Sequence, residues 1–152
     1  MNKFSMVLRY VTLFSSKFLL LFFLLSAAVQ ALTISATSAP PSSTCKSGSW
    51  GTYNILTNSY TCSGRIEFGS AQSPLLTTTA NITLIASEYL KVENITVGSS
   101  TARINLRSGS NGTKSEIKNS QVWGNVTGGN NNYDIENSSI NGTLTTNGSL
   151  EI

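Results

Sequence analysis

Histidine is absent from this chain, aspartate occurs once, at Asp134, and charged residues make up only 11% of it. Each shortage closes a route to chemistry. Without histidine, and with both cysteines expected to be paired, neither a Ser/His/Asp nor a Cys/His arrangement can be assembled. Hydrolysis by carboxylates needs acids concentrated on one face, whereas Glu67, Glu88, Glu93, Glu116, Glu136 and Glu151 are scattered along the chain. A helical apolar period is missing too, because Gly, Asn, Thr and Ser are too dense in residues 32–152 to leave one. The excess of ten basic over seven acidic residues is no footprint for nucleic acid or an anionic membrane. Lys3, Arg9 and Lys17 lie in the leader, and the rest balances at seven against seven.

What the chain does have is repetition. Ser115-Glu116-Ile117-Lys118-Asn119 recurs 18 positions later as Tyr133-Asp134-Ile135-Glu136-Asn137, and Val122-Trp123-Gly124-Asn125-Val126-Thr127 recurs as Ile140-Asn141-Gly142-Thr143-Leu144-Thr145. A third copy opens at Leu150-Glu151-Ile152, where the sequence stops, which reads as a truncation. Lys91-Val92-Glu93-Asn94 carries the same order 25 positions before Glu116-Ile117-Lys118-Asn119. Three apolar columns are expected: Ile66, Ile82, Ile104, Val126 and Leu144; Val92, Ile117, Ile135 and Ile152; Val97, Val122 and Ile140. A period near 20 residues with three short strands per turn describes a solenoid, since one turn buries its apolar face only against neighbours above and below. The expected fold is therefore all-β, a single-stranded parallel β-helix of about four turns, right-handed by the general twist preference. A β-sandwich is the alternative, because short strands with frequent turns suit it too.

Four segments follow. Residues 1–31 read as a signal peptide: a basic lead, an unbroken apolar run over 18–25, and Val29-Gln30-Ala31 before the cleavage point. The run is short for an uncleaved anchor, so the mature form carries no membrane span. Residues 32–44 hold small residues and Pro40-Pro41 without periodicity, and are expected to be a flexible lead-in. Residues 45–64 form a cap closed by a disulfide between Cys45 and Cys62, since two exported cysteines without Cys-x-x-Cys spacing are a staple rather than a redox pair. Within it Trp50, Tyr53, Ile55 and Tyr60 suggest a hairpin that plugs the end of the coil, which otherwise presents bare strand edges. Residues 65–152 are the coil, with 99–103 and 108–114 as loops thrown out from it.

Three groups of side chains are candidates for contact with something outside the coil. Glu116, Asp134 and Glu151 stack in an outward column. They read either as a weak Ca²⁺ or paired-carboxylate site or as a solvated edge partnered by Lys118 and Glu136; the column is short of the six or more oxygens Ca²⁺ takes, so no metal and no cofactor is expected. Asn94, Asn119 and Asn137 form a second column, suited to left-handed turns and to side-chain ladders. Seven Asn-x-Ser/Thr sequons, at Asn81, Asn94, Asn111, Asn125, Asn137, Asn141 and Asn147, are expected by chance in such a composition. Trp123, outward by alternation, could stack with Tyr133 on the apolar face of a sugar ring, or lie flat over the adjacent turn.

The Cys-Trp-Cys lead, Thr61-Cys62-Ser63-Gly64, Ile82-Thr83-Leu84-Ile85-Ala86, Ile95-Thr96-Val97-Gly98-Ser99-Ser100, Ile104-Asn105-Leu106 and the Gly-Asn-Val-Thr and Gly-Thr-Leu-Thr repeats together resemble the amino-terminal part of MshQ-type proteins of the mannose-sensitive haemagglutinin type IV pilus. The resemblance runs from about Cys45 to Ile152. It implies export in a Gram-negative bacterium, to the periplasm, outer surface or pilus, and a role in pilus assembly or adhesion. Family members continue into a large carboxy-terminal region, so a missing domain joins pilus or cell-surface components among the expected partners. The resemblance supplies no catalytic residues. The expected function is non-enzymatic, structural or adhesive; the alternative is a carbohydrate-binding module using Trp123 and Tyr133, and a polysaccharide-active enzyme finds no adequate site.

Overall fold

Strands of two to five residues are all this sequence permits before Gly, Asn or Ser interrupts the alternation. A strand that short buries its apolar side only when others lie directly above and below it. The computed structural model, which describes residues 31–69, 73–111 and 113–152, stacks them in that way. The signal-peptide expectation for residues 1–31 falls, but for Ala31, outside the described residues. Among those described, no helix is long and apolar enough to cross a membrane.

The chain opens with β1 (Leu32–Ile34), a single 3-10 turn at Ser42–Thr44, and β2 (Cys45–Lys46). It then winds. The first turn is β3 (Ser59–Cys62), β4 (Arg65–Gly69) and β5 (Leu75–Thr78); the second is β6 (Ile82–Ala86), β7 (Leu90–Glu93) and β8 (Thr96–Val97). The third is β9 (Ile104–Arg107), β10 (Ser115–Lys118) and β11 (Gln121–Val122); the fourth is β12 (Val126–Thr127), β13 (Tyr133–Glu136) and β14 (Ser139–Ile140). A fifth begins with β15 (Leu144–Thr145) and β16 (Leu150–Glu151). Stacking produces three sheets: sheet I (β3-β6-β9-β12-β15), sheet II (β2-β4-β7-β10-β13-β16) and sheet III (β1-β5-β8-β11-β14). Every turn-to-turn ladder is parallel and in register, which excludes a sandwich and establishes the β-solenoid.

Alternation sends every second side chain inward. Tyr60, Leu84, Leu106, Val126 and Leu144 stack inside sheet I. Phe68, Val92, Ile117 and Ile135 stack inside sheet II. Leu76, Val97, Val122 and Ile140 do so inside sheet III. Full burial of such a side chain stabilises by about 1.5–3 kcal/mol against leaving it exposed. The first of the three expected columns needs correction. Ile66 belongs to sheet II, opposite Leu90, and Val126 stacks on Leu106 rather than Ile104, which instead covers Ile82. The second gains Phe68 beneath Val92, and Ile152 lies just past β16, 93% exposed. The third stands, with Leu76 added beneath it.

The two amino-terminal boundaries also shift. Residues 32–44, expected to be flexible, hold β1, which pairs in parallel with β5 and buries Ile34 completely. One edge strand has too few residues to show a period, so composition alone hid it. The strand β3, expected inside the cap, is the first strand of the coil, paired with β6 from Ser59 to Cys62. The cap proper wraps the first turn on every side. β1 covers sheet III, β2 runs antiparallel to β4, and residues 49–54 pair back along β3 through Gly51 N–H to Thr61 O at 2.8 Å and Asn54 N–H to Ser59 O at 2.9 Å. The disulfide between Cys45 and Cys62 is formed, with a Cα–Cα distance of 5.6 Å. Trp50 meets the Tyr60 ring edge-on at 6.4 Å and donates from Nε1 to Pro41 O at 3.1 Å, while the Tyr60 hydroxyl donates to Ser35 O at 2.8 Å. Ile55 takes no part in this plug; it is 77% exposed at the tip of the hairpin.

Candidate functional site

The outward face of sheet II holds most of the charge, and it gathers Glu67, Glu93, Glu116, Asp134, Glu136 and Glu151, acids that are scattered along the sequence, because the repeat returns them to one face. Register stacks Glu67, Lys91, Glu116, Asp134 and Glu151 in one column, and Glu93, Lys118 and Glu136 in the next. Lys118 Nζ reaches Asp134 Oδ2 at 3.1 Å, Glu136 at 3.6 Å and Glu116 at 3.7 Å, and Lys114 adds contacts to Asp134 at 3.3 Å and to Glu151. The hydrogen bond from Lys118, reinforced by Lys114, holds the Asp134 carboxyl below its ordinary range against a smaller opposing effect of desolvation. A group kept ionised in this way is a poor general acid. A cation drawn to the column would have to displace Lys118 from three carboxylates, so the partnered-edge alternative, with Lys118 and Glu136 as neighbours, describes the face. Among the described residues no three His, Cys, Asp or Glu side chains group around a metal position.

Trp123 and Tyr133 are not brought together. Trp123 lies at the corner between β11 and β12, half-buried, with its backbone fixed by Trp123 N–H to Val97 O at 2.8 Å and Ile104 N–H to Trp123 O at 2.9 Å. Tyr133 is a core residue of sheet II, 0% exposed, and its hydroxyl is hydrogen-bonded to Ser108 Oγ at 2.8 Å. Burial pushes that phenol up from its ordinary value, with hydrogen bonds to Ser108 and Ser115 opposing. Tyr133 is therefore corrected from a glycan contact to a packing residue. The strand alternation that puts Asp134 outside puts Tyr133 inside.

The Asn column does form a surface feature. Asn94, Asn119 and Asn137 adopt φ of 55°, 48° and 47°, the left-handed region, at the corner from sheet II to sheet III. Their side chains do not bond to one another; the ladder here is main-chain, from Asn94 N–H to Lys118 O at 3.0 Å and from Asn119 N–H to Glu136 O at 2.9 Å. Side-chain ladders occur elsewhere. At the sheet III to sheet I corner Asn81 Oδ1 accepts from Arg103 N–H at 2.9 Å, and Asn125 Oδ1 accepts from Thr143 N–H at 2.9 Å. Asn105 Oδ1, in β9 of sheet I, accepts from Asn125 N–H at 2.8 Å.

Along the first corner runs a groove of about 750 Å³, lined by the three exposed Asn side chains with Thr96, Gln121 and Ser139 from sheet III. Among the described residues, no charged one lines it. The sequence signalled its parts as a turn-forming column, but did not show that they line a shallow, open depression with Thr96, Gln121 and Ser139. No protein-family model matches this sequence, and neither a curated protein nor a solved structure matches it.

Proposed function

We propose that this chain is an exported, non-enzymatic structural and adhesive element of a bacterial surface or pilus. The disulfide between Cys45 and Cys62 carries the reading, because such bonds persist in oxidising compartments outside the cytosol. The geometry of the coil supports it. The acidic side chains on the outward face of sheet II are engaged by Arg65, Lys91, Lys114 and Lys118, which leaves a stiff stack of turns with regular polar rows for recognition. The likeness of residues from Cys45 onward to MshQ-type pilus proteins supplies the setting, with pilus or surface components as partners. The test is direct. The protein should be recovered from the outer surface or pilus fraction with Cys45 and Cys62 oxidised, and a deletion strain should adhere less. Recovery from the cytosol with free thiols would end the reading. A carbohydrate-binding role is the second reading, favoured by the uncharged groove at the Asn corner rather than by Trp123 and Tyr133.

A further inference from the structure

We propose that the groove along Asn94, Asn119 and Asn137 binds an uncharged, linear glycan laid along the coil axis. The proposal rests on the adhesive reading and names the ligand class for it. Each of the three carboxamides offers two N–H donors and a carbonyl acceptor, and none is hydrogen-bonded to another described residue through its side chain. Neighbouring turns are about 4.8 Å apart, so the three amides form a row of matched donors and acceptors, flanked on the strand side by Thr96, Gln121 and Ser139.

The backbone does not require these amides. Glycine and Asn both suit a left-handed φ, and it is Asn, which adds a carboxamide that the corner itself does not use, that stands at all three positions, at φ of 55°, 48° and 47°. Hydroxyl-rich ligands are the chemistry that uses a carboxamide in both directions, since each sugar hydroxyl donates and accepts. The absence of charge among the described lining residues selects a neutral chain over an anionic one. An extended peptide is less suited, because it would need a free strand edge. The backbone here is already committed, through Asn94 N–H to Lys118 O and Asn119 N–H to Glu136 O. Exposed Pro74 adds apolar surface against which the C–H face of a sugar ring can rest.

The experiment is calorimetric titration of the purified, oxidised exported protein with cellohexaose, xylohexaose and mannohexaose, with an oligogalacturonate as the anionic control. At least one neutral hexaose should bind, with an affinity insensitive to added salt. The Asn94→Gly/Asn119→Gly/Asn137→Gly variant keeps the corner conformation and should bind at least about tenfold more weakly, while Trp123→Ala should bind as wild type. Should the triple variant fold poorly by circular dichroism, Gln121→Ala/Ser139→Ala tests the same groove from strand positions. Three results would overturn the proposal: no neutral hexaose binds, the groove variants bind like wild type, or the galacturonate is preferred. So would an intact mass showing a glycan attached at Asn94 or Asn137, both of which lie in sequons, since the groove would then hold the protein's own sugar. A protein that is at the surface and adhesive, but indifferent to the groove variants, loses this inference and keeps the broader one.

Discussion

Lys118 Nζ lies 3.1 Å from Asp134 Oδ2, on the next turn of the coil. The contact ties two turns together outside the backbone ladder. It depresses the Asp134 pKa in the folded state from the ordinary 3.8, so its stabilisation is fully present above that value and is lost as pH falls through the lower, folded value. The melting temperature should drop as pH is lowered below about 4. Asp134→Asn should melt lower at neutral pH and show a shallower acid decline. An identical acid slope in the variant would count against the ladder as a stabilising device.

The alkaline limb has the opposite sign. Burial raises the Tyr133 pKa above its ordinary 10.0 when folded, so the unfolded chain gives up this proton first and stability falls as pH rises beyond about 10. Tyr133→Phe should flatten that decline. At pH 7 it should cost about 1–2 kcal/mol, because Ser108 Oγ loses its buried partner. Chemical denaturation at pH 7 and pH 11 checks both parts.

Opening the staple acts on the unfolded state. The Cys45→Ala/Cys62→Ala double variant should lose about 3 kcal/mol in urea unfolding, the chain-entropy value for a loop of this size. The effect should be absent when wild type is measured fully reduced, since both then lack the crosslink.

Glycine at the sheet III to sheet I corner is a steric requirement. Gly124 has φ of 154°, and a Cβ there would lie 2.2 Å from Ile104 O on the turn below. Gly142 stands in the same relation to Gly124 O, also at 2.2 Å. Gly124→Ala should therefore cost about 2 kcal/mol or more, whereas Asn119→Gly, at a corner that glycine suits, should be close to neutral. Thermal melts of the two variants, compared at one pH, decide it.

The solenoid was legible because its apolar residues recur at nearly fixed offsets, and a stack of turns is the arrangement that turns such offsets into columns. What spacing could not settle was which of two inward residues on one strand stacks on which in the next turn. Ile104 and Leu106 both point inward, and only the register shows that Val126 sits on Leu106. Asn94, Asn119 and Asn137 were readable as left-handed corners, since few other residues tolerate that backbone. Tyr133 was misplaced for a different reason. Its repeat partner on the turn before is Ser115, a small polar residue that is itself buried, so that comparison hid an inward column which Ile66, Leu90 and Leu150 otherwise mark as apolar, and alternation with Asp134 already fixed its direction. The strand Leu32–Ile34 escaped notice because a single edge strand has no repeat to belong to.

The turn-to-turn hydrogen bonds run along the coil axis, and this sets how the molecule responds to tension. A pull on its two ends loads the bonds of one turn at a time instead of all of them in parallel. The crosslink between Cys45 and Cys62 holds the chain between them against extension, so the turns beyond it come off like thread leaving a spool. One turn such as that from Ile117 to Ile135 frees 18 residues, or about 60 Å of chain at full extension. A coil built this way yields in steps of nearly constant force while its crosslinked first turn stays wound.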